Sequence, residues 1–402
     1  MKKQLVALVM AGAMAFGLVG CGGSGSVASS EPAADAGSSA DAEMSAAPSG
    51  SEGAGSAAAS DGSGVQVGIV LPTKDEPRWI QDETRFGEIL EQAGFTYQVL
   101  FSQGSSATEK ANVETLVSNG VQVLILCPQD SAAAASTVDY AADNGATVIS
   151  YDRLITGTDK LDYIVGFDST SVGVAQGNYL IEQAGDTKGN PLYLYAGATT
   201  DENAFLFFEG AWQVLQPKIA DGTFVIKNSS EAEALADTPE LDRDQMSTIL
   251  GQITTDWDFE VSKSKAEANL TAASAEDKGD VFILAPNDGT SRSIADVFAI
   301  DPDVTSYVIT GQDAESASIQ YIIDGKQSMT VLKDTRLLSQ AAVDMATQIL
   351  TDGQADTNAV YDNGAAEIPM YQMEVLSVTK DTMQEYIFDS EYYDAADFTG
   401  LE

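Results

Sequence analysis

The sequence predicts an α/β fold of two lobes, each a parallel sheet covered by helices. Three observations predict it. From Val65 onward, short apolar runs rich in Val, Ile and Leu alternate with longer amphipathic stretches. Gly94, Gly120 and Gly145 each stand between an amphipathic stretch and the next apolar run, where a residue free to turn left-handed ends a helix. The 338 residues from Val65 to Glu402 exceed what one hydrophobic core usually serves, so two domains are expected.

Taken in order, the chain opens with an address. Met1-Lys2-Lys3-Gln4 precedes an uncharged run from Leu5 to Gly20, the pattern of a secretory leader over residues 1–20. At 16 residues the run is short for a membrane span. It ends in Leu18-Val19-Gly20-Cys21, which resembles the bacterial lipobox, where small residues before a cysteine permit lipid transfer to its thiol and cleavage ahead of it. Cys21 is then the expected lipidation site; a plain transmembrane anchor or cleaved signal is the alternative. Gly22 to Gly64 is almost wholly Gly, Ser, Ala, Asp and Glu, with no aromatic or basic residue. Such a stretch cannot bury enough apolar surface to offset its ordering entropy, and as a coil it spans roughly 35 Å. Residues 21–64 therefore read as a lipidated Cys and a disordered tether.

The folded part begins with VQVGIVL, a helix over Trp79 to Ala93, TYQVLF, a helix over Ala107 to Asn119, VQVLILC, a helix over Ala132 to Asn144, and ATVISY. These make a first parallel sheet with its covering helices. YIVGF, PLYLYA, TFVIK, VFILA, TSYVIT and SMTVL follow and predict a second sheet of similar design.

The formal charge of −41 excludes a nucleic-acid partner and attraction to an anionic membrane surface. The chain has no histidine, which removes the commonest general base, the Ser-His pairing and the commonest transition-metal ligand. No catalytic residue, cofactor or metal site is predicted. Apart from Cys21 the one cysteine is Cys127, so no disulfide or zinc cluster is expected, and Cys127 reads as core.

In open parallel sheets, ligands bind beyond the carboxyl ends of the strands. At those positions the chain places Arg78 and Trp79, Asp130, Asp152 and Arg153, Asp201 and Asn203, Asn287 and Asp288, Asp313, and Lys333, with Trp257 in a further charged loop. Carboxylates accept, Arg and Lys donate, and Asn does both, so together they can satisfy a ring of hydroxyls. Flat indoles suit the C–H faces of a pyranose. For each Asp or Asn the competing role is a helix cap; for each Trp it is core. The concentration of scarce cations (20 Lys and Arg in all) at such ends favours ligand donors.

The blocks PTKDEPRWIQD, VETLVSNGVQVLILCPQD to NGATVISYDRLI, TTDENAFLFFEGA, TTDWD, PNDGT, TGQDAE and VLKDT, in this order, resemble the type I periplasmic sugar-binding proteins, in the branch of xylose-binding and multiple-sugar-binding receptors of ABC transporters. The resemblance covers Val65 to Glu402. It implies two Rossmann-like lobes joined by three hinge strands: residues 65–155 plus 333–371, and residues 156–332 plus 372–402. It implies that Trp79 and Trp257 stack on opposite sugar faces. Arg78, Asp130, Asp152, Arg153 and Lys333 would bind from the first lobe or hinge, and Asp201, Asn203, Asn287, Asp288 and Asp313 from the second. It further implies a monomeric, membrane-anchored receptor on the extracytoplasmic face, handing a monosaccharide to ABC permease subunits. A sugar sensor feeding a membrane signalling receptor uses the same cleft, and a surface glycosidase would collect similar side chains. Between Lys227 and Trp257 the chain carries a longer, acidic stretch than the resemblance implies, expected to decorate the second lobe.

Overall fold

A computed structural model describes residues 64–401; the leader, Cys21 and the tether up to residue 63 lie outside the described residues. The first strands are β1 (Val67–Leu71), β2 (Tyr97–Phe101), β3 (Val123–Leu126), β4 (Thr147–Tyr151) and β5 (Tyr163–Phe167). Next come β6 (Asn190–Leu194), β7 (Phe224–Ile226), β8 (Gly279–Leu284), β9 (Val304–Ile309) and β10 (Met329–Leu332). Last are β11 (Ala359–Asp362), β12 (Glu367–Met373) and β13 (Leu376–Thr379).

They form a seven-stranded sheet in the order β11-β12-β5-β4-β3-β1-β2, a four-stranded sheet in the order β7-β6-β8-β9, and a two-stranded pair of β10 with β13. The four-stranded sheet is wholly parallel. In the larger one only β11 runs antiparallel. This is the expected α/β class, and the period of two explains why central strands such as β1 and β3 are apolar throughout. Val67, Ile69 and Leu71 of β1, with Val123 and Ile125 of β3, point into one core under the helices Pro77–Ala93 and Thr335–Asp352. Val70, Leu124, Leu126 and Val148 point into the other. Both faces are covered, so both must be apolar. Cys127 is buried in the first of these cores as a free thiol. Gly94, Gly120 and Gly145 all take positive φ, the conformation their places in the sequence anticipate.

Two strand assignments differ from expectation. YIVGF does not open the second sheet: β5 pairs with β4 on one side and β12 on the other, so the first sheet extends past the expected boundary at residue 155. SMTVL does not join the second parallel sheet either, but pairs antiparallel with Leu376–Thr379. The acidic stretch contributes the helix Arg243–Ile253, whose Met246, Ile249, Leu250 and Ile253 pack into the second-lobe core.

The helices Ser169–Ala184 and Glu202–Ala220 cross closely because glycines face the crossing. A Cβ at Gly173 would lie 1.8 Å from the Phe207 carbonyl oxygen, and one at Gly210 would lie 2.0 Å from that of Thr170. This contact holds the second helix against the first, and the first turns of the second helix carry site residues. Among the described residues no helix is long and apolar enough to cross a membrane.

Candidate ligand-binding site

The strand ends converge on a small cavity lined by side chains from both parallel sheets. From the first lobe, Pro77 opens its helix at a position where a missing N–H costs nothing, which places Arg78 and Trp79 in the first turn. Asp152 and Arg153 follow β4. From the second lobe, Asp201 caps the helix Glu202–Ala220 by accepting the Asn203 N–H at 3.0 Å. Asn287 caps the helix Asp288–Phe298, Trp257 follows the helix Arg243–Ile253, and Asp313 and Lys333 lie beyond β9 and β10.

Asp152 is the electrostatic hub. Its Oδ2 accepts from Arg78 Nη2 at 2.9 Å and from Lys333 Nζ at 3.4 Å. Burial pushes this carboxyl up, but Lys333, Arg78 and Arg153 outweigh it and hold it below the usual carboxylate range. Lys333 also faces Asp313 at 3.5 Å, and Arg153 Nε meets Asp201 Oδ2 at 3.0 Å. Burial raises the Asp201 carboxyl despite that guanidinium. Asn203 donates to the Asp152 carbonyl at 3.1 Å and accepts from Ser169 Oγ at 2.8 Å, tying the lobes together. Arg78 and Arg153 stack on Trp79, with Cζ 4.7 and 5.4 Å from the ring centre. Trp257 packs edge-on against Phe207 at 6.3 Å.

Arg78 Nε, Trp257 Nε1 and Gln312 Oε1, on residues that line this cavity, are buried and have no hydrogen-bond partner among the described residues. Buried polar atoms are nearly always satisfied, so three orphans around one cavity call for a polar ligand. The backbone says the same. Asp152 (φ 61°), Trp257 (φ 60°) and Asp313 (φ 101°) hold left-handed conformations without being glycine. Each costs on the order of 1–3 kcal/mol and persists only where surrounding contacts impose it. Here the Asp152 N–H donates to the Val165 carbonyl and the Asp313 N–H to that of Val331, both at 2.9 Å.

The sequence profile of the periplasmic binding protein domain matches residues 67–355. The chain belongs to this family. It is 33% identical to the multiple sugar-binding periplasmic protein SbpA of Azospirillum brasilense, over 83% of this chain and 90% of that protein. Among solved structures, a carbohydrate transporter solute binding protein from Chloroflexus aurantiacus in complex with D-glucose is 61% identical, with a TM-score of 0.82 over 84% of this chain and 99% of that one. An ABC transporter solute binding protein from Clostridium phytofermentans with bound β-D-glucose is 28% identical, with a TM-score of 0.73 over 82% and 99%.

In this periplasmic binding protein Arg78, Trp79, Asp152, Arg153, Asp201, Asn203, Trp257, Asn287, Asp313 and Lys333 come together around one cavity. Asp130 and Asp288 do not: Asp130 holds the backbone of its own turn, and Asp288 ties together distant segments. Asp130 Oδ1 accepts the N–H groups of Ala132 and Ala133 at 3.0 and 2.7 Å. Asp288 is fully buried, accepting from Glu315 N and Gln327 Nε2, each at 2.8 Å. Three lining residues were not singled out: Glu76, Phe207 and Gln312. Glu76 and Gln312 sit inside strand-end blocks that draw notice. Phe207 stands four residues after Asn203 on one helix, a spacing that puts both on the same face. Burial pushes the Glu76 carboxyl up to about 7 against the pull of Arg153, with Asp313 adding to the rise. Among the described residues no group of His, Cys, Asp or Glu is placed to hold a metal ion.

Proposed function

We propose that the protein is an extracytoplasmic receptor that binds a monosaccharide of the glucose, xylose, galactose or arabinose type between its lobes and delivers it to an ABC importer. The observation that carries the reading is the lining of the small cavity: two indoles together with a ring of cations, carboxylates and amides. Hydroxyls that both donate and accept match such a ring. The glucose-bound relative at 61% identity puts D-glucose first among candidates.

Contacts from both lobes mean that closure alone completes the hydrogen bonds, so the ligand favours the closed form by its differential affinity, and a permease can recognise that form. The site has no catalytic role in this reading. The Leu18-Val19-Gly20-Cys21 run anchors the receptor by lipid on Cys21, behind a tether, and it acts as a monomer.

The test is a thermal-shift and calorimetric screen against pentoses, hexoses, nucleosides and oligosaccharides, since a ligand that binds only the folded state raises Tm. Stabilisation by one or a few monosaccharides is expected. Stabilisation by nucleosides alone overturns the ligand class. Separately, Cys21→Ser is expected to release the protein from membranes; retention in the membrane fraction overturns the anchor.

A further inference from the structure

Glu76, Arg153 and Trp257 have two sides. One faces the monosaccharide cavity; the other faces a second chamber with about 710 Å³ of empty space that opens toward solvent. Thr73, Asp75, Gly104, Gln129, Asp256, Asp258 and Phe259 complete its lining.

The partition between the two spaces is the loosest part of the inner cavity. Arg153 and Glu76 stand 4.0 Å apart across it, whereas the other ion pairs around the cavity close at 2.9 to 3.5 Å. Both spaces exist while the inner residues Arg78, Asp152, Arg153, Asp201 and Asn203 are each under a tenth exposed, so a ligand reaching into both need not pry the lobes apart.

We infer that this second chamber is a subsite for the group attached to the sugar, so that the protein takes neutral glycosides and disaccharides as well as the free monosaccharide. The inference rests on the monosaccharide reading of the inner cavity. Charge selects a neutral occupant. The chamber carries Asp75, Glu76, Asp256 and Asp258 against Arg153 alone, and that guanidinium is already engaged by Asp201. A phosphate or uronate there meets like charge. A second sugar ring meets the aromatic rings of Trp257 and Phe259, carboxylate acceptors, and the half-buried side-chain amide of Gln129, which is bonded to nothing among the described residues.

The test is calorimetric titration of D-glucose, cellobiose and maltose into the protein and into Gln129→Trp. The substitution puts a bulky indole into the chamber and narrows it, while the Gln129 backbone N–H keeps its bond to Glu109. At least one disaccharide is expected to bind the unsubstituted protein, and Gln129→Trp is expected to weaken it about tenfold or more while leaving D-glucose within about twofold. D-glucose binding serves as the fold check. If the Trp variant does not fold, Phe259→Ala, which removes an aromatic face, is expected to show the same discrimination. Binding of D-glucose with neither disaccharide shows the chamber to be a water-filled mouth and overturns the inference. So does disaccharide binding that both variants leave unchanged. Should D-glucose not bind, D-xylose, D-galactose and L-arabinose are titrated in its place, and failure of all four sinks the monosaccharide reading and this inference with it.

Discussion

Replacing Glu109 by Gln is expected to remove part of the stability that the protein loses as pH rises from about 4.5 to about 7. Glu109 lies in the first turn of the helix Ser106–Ser118 and is fully buried. Its Oε2 accepts the Gln129 N–H at 2.6 Å, while Oε1 is buried without a partner. Burial pushes the carboxyl from 4.5 up to about 7, against the opposing pull of that hydrogen bond and of Arg153. In the unfolded chain the proton leaves near the lower value; in the folded protein it stays until the higher one. Within that window the folded state binds more protons, so stability falls as pH rises. At about 1.36 kcal/mol per pKa unit the loss is at most about 3 kcal/mol. A Gln side chain does not titrate and shows none of it.

The absolute stability of the variant carries a second effect, because an amide leaves N–H donors where Oε1 was orphaned, at roughly 1–3 kcal/mol. The difference between variant and parent across pH is free of that constant. Glu76, also pushed to about 7, is present in both proteins and largely cancels. Urea unfolding of both between about pH 4.5 and 8 supplies the measurement. The variant is expected to gain about 2–3 kcal/mol on its parent from the acid to the neutral end. Parallel stability profiles would refute the buried, uncompensated carboxyl.

Three further outcomes follow from the same contacts. Arg78→Ala and Asp313→Ala should each weaken monosaccharide binding about tenfold or more, since a charge-assisted hydrogen bond contributes roughly 1.5–3 kcal/mol; full affinity by calorimetry in either variant counts against the site. Of the three tryptophans, Trp79 and Trp257 line the cavity, while Trp212 is packed in the second lobe with its N–H on the Thr238 carbonyl. Ligand should therefore change the fluorescence of Trp212→Phe but much less that of a Trp79→Phe, Trp257→Phe double variant. Gly173→Ala should destabilise by about 3 kcal/mol in urea unfolding, against the gain that Gly→Ala usually brings to a helix interior, and should weaken binding by displacing Asn203 and Phe207. A neutral or stabilising effect would mean that the helix crossing is not the constraint.

The α/β class, the run of strands from β1 to β4 and the neighbourhood of the site were legible in the residues alone. A strand covered on both faces must be apolar at every position, a helix between such strands must end at a residue tolerant of positive φ, and a parallel sheet gathers its ligand groups at one edge. Those are local rules, and Val67–Leu71 or Gly94 obeys them without reference to distant partners. What local rules leave open, tertiary contacts decided. YIVGF is equally apolar for either sheet, and only the neighbours β4 and β12 assign it to the first. Ala359–Asp362 and Leu376–Thr379 are short and half exposed, too weakly patterned to be read as strands before a partner pairs with them. Asp130, Asp152 and Asp288 look alike at strand ends. One accepts backbone N–H groups from its own turn, one is turned by a left-handed φ toward Arg78 and Lys333, and one is buried against Gln327. A carboxylate's role depends on which donors surround it in space, and residues more than a hundred positions away supply some of those donors.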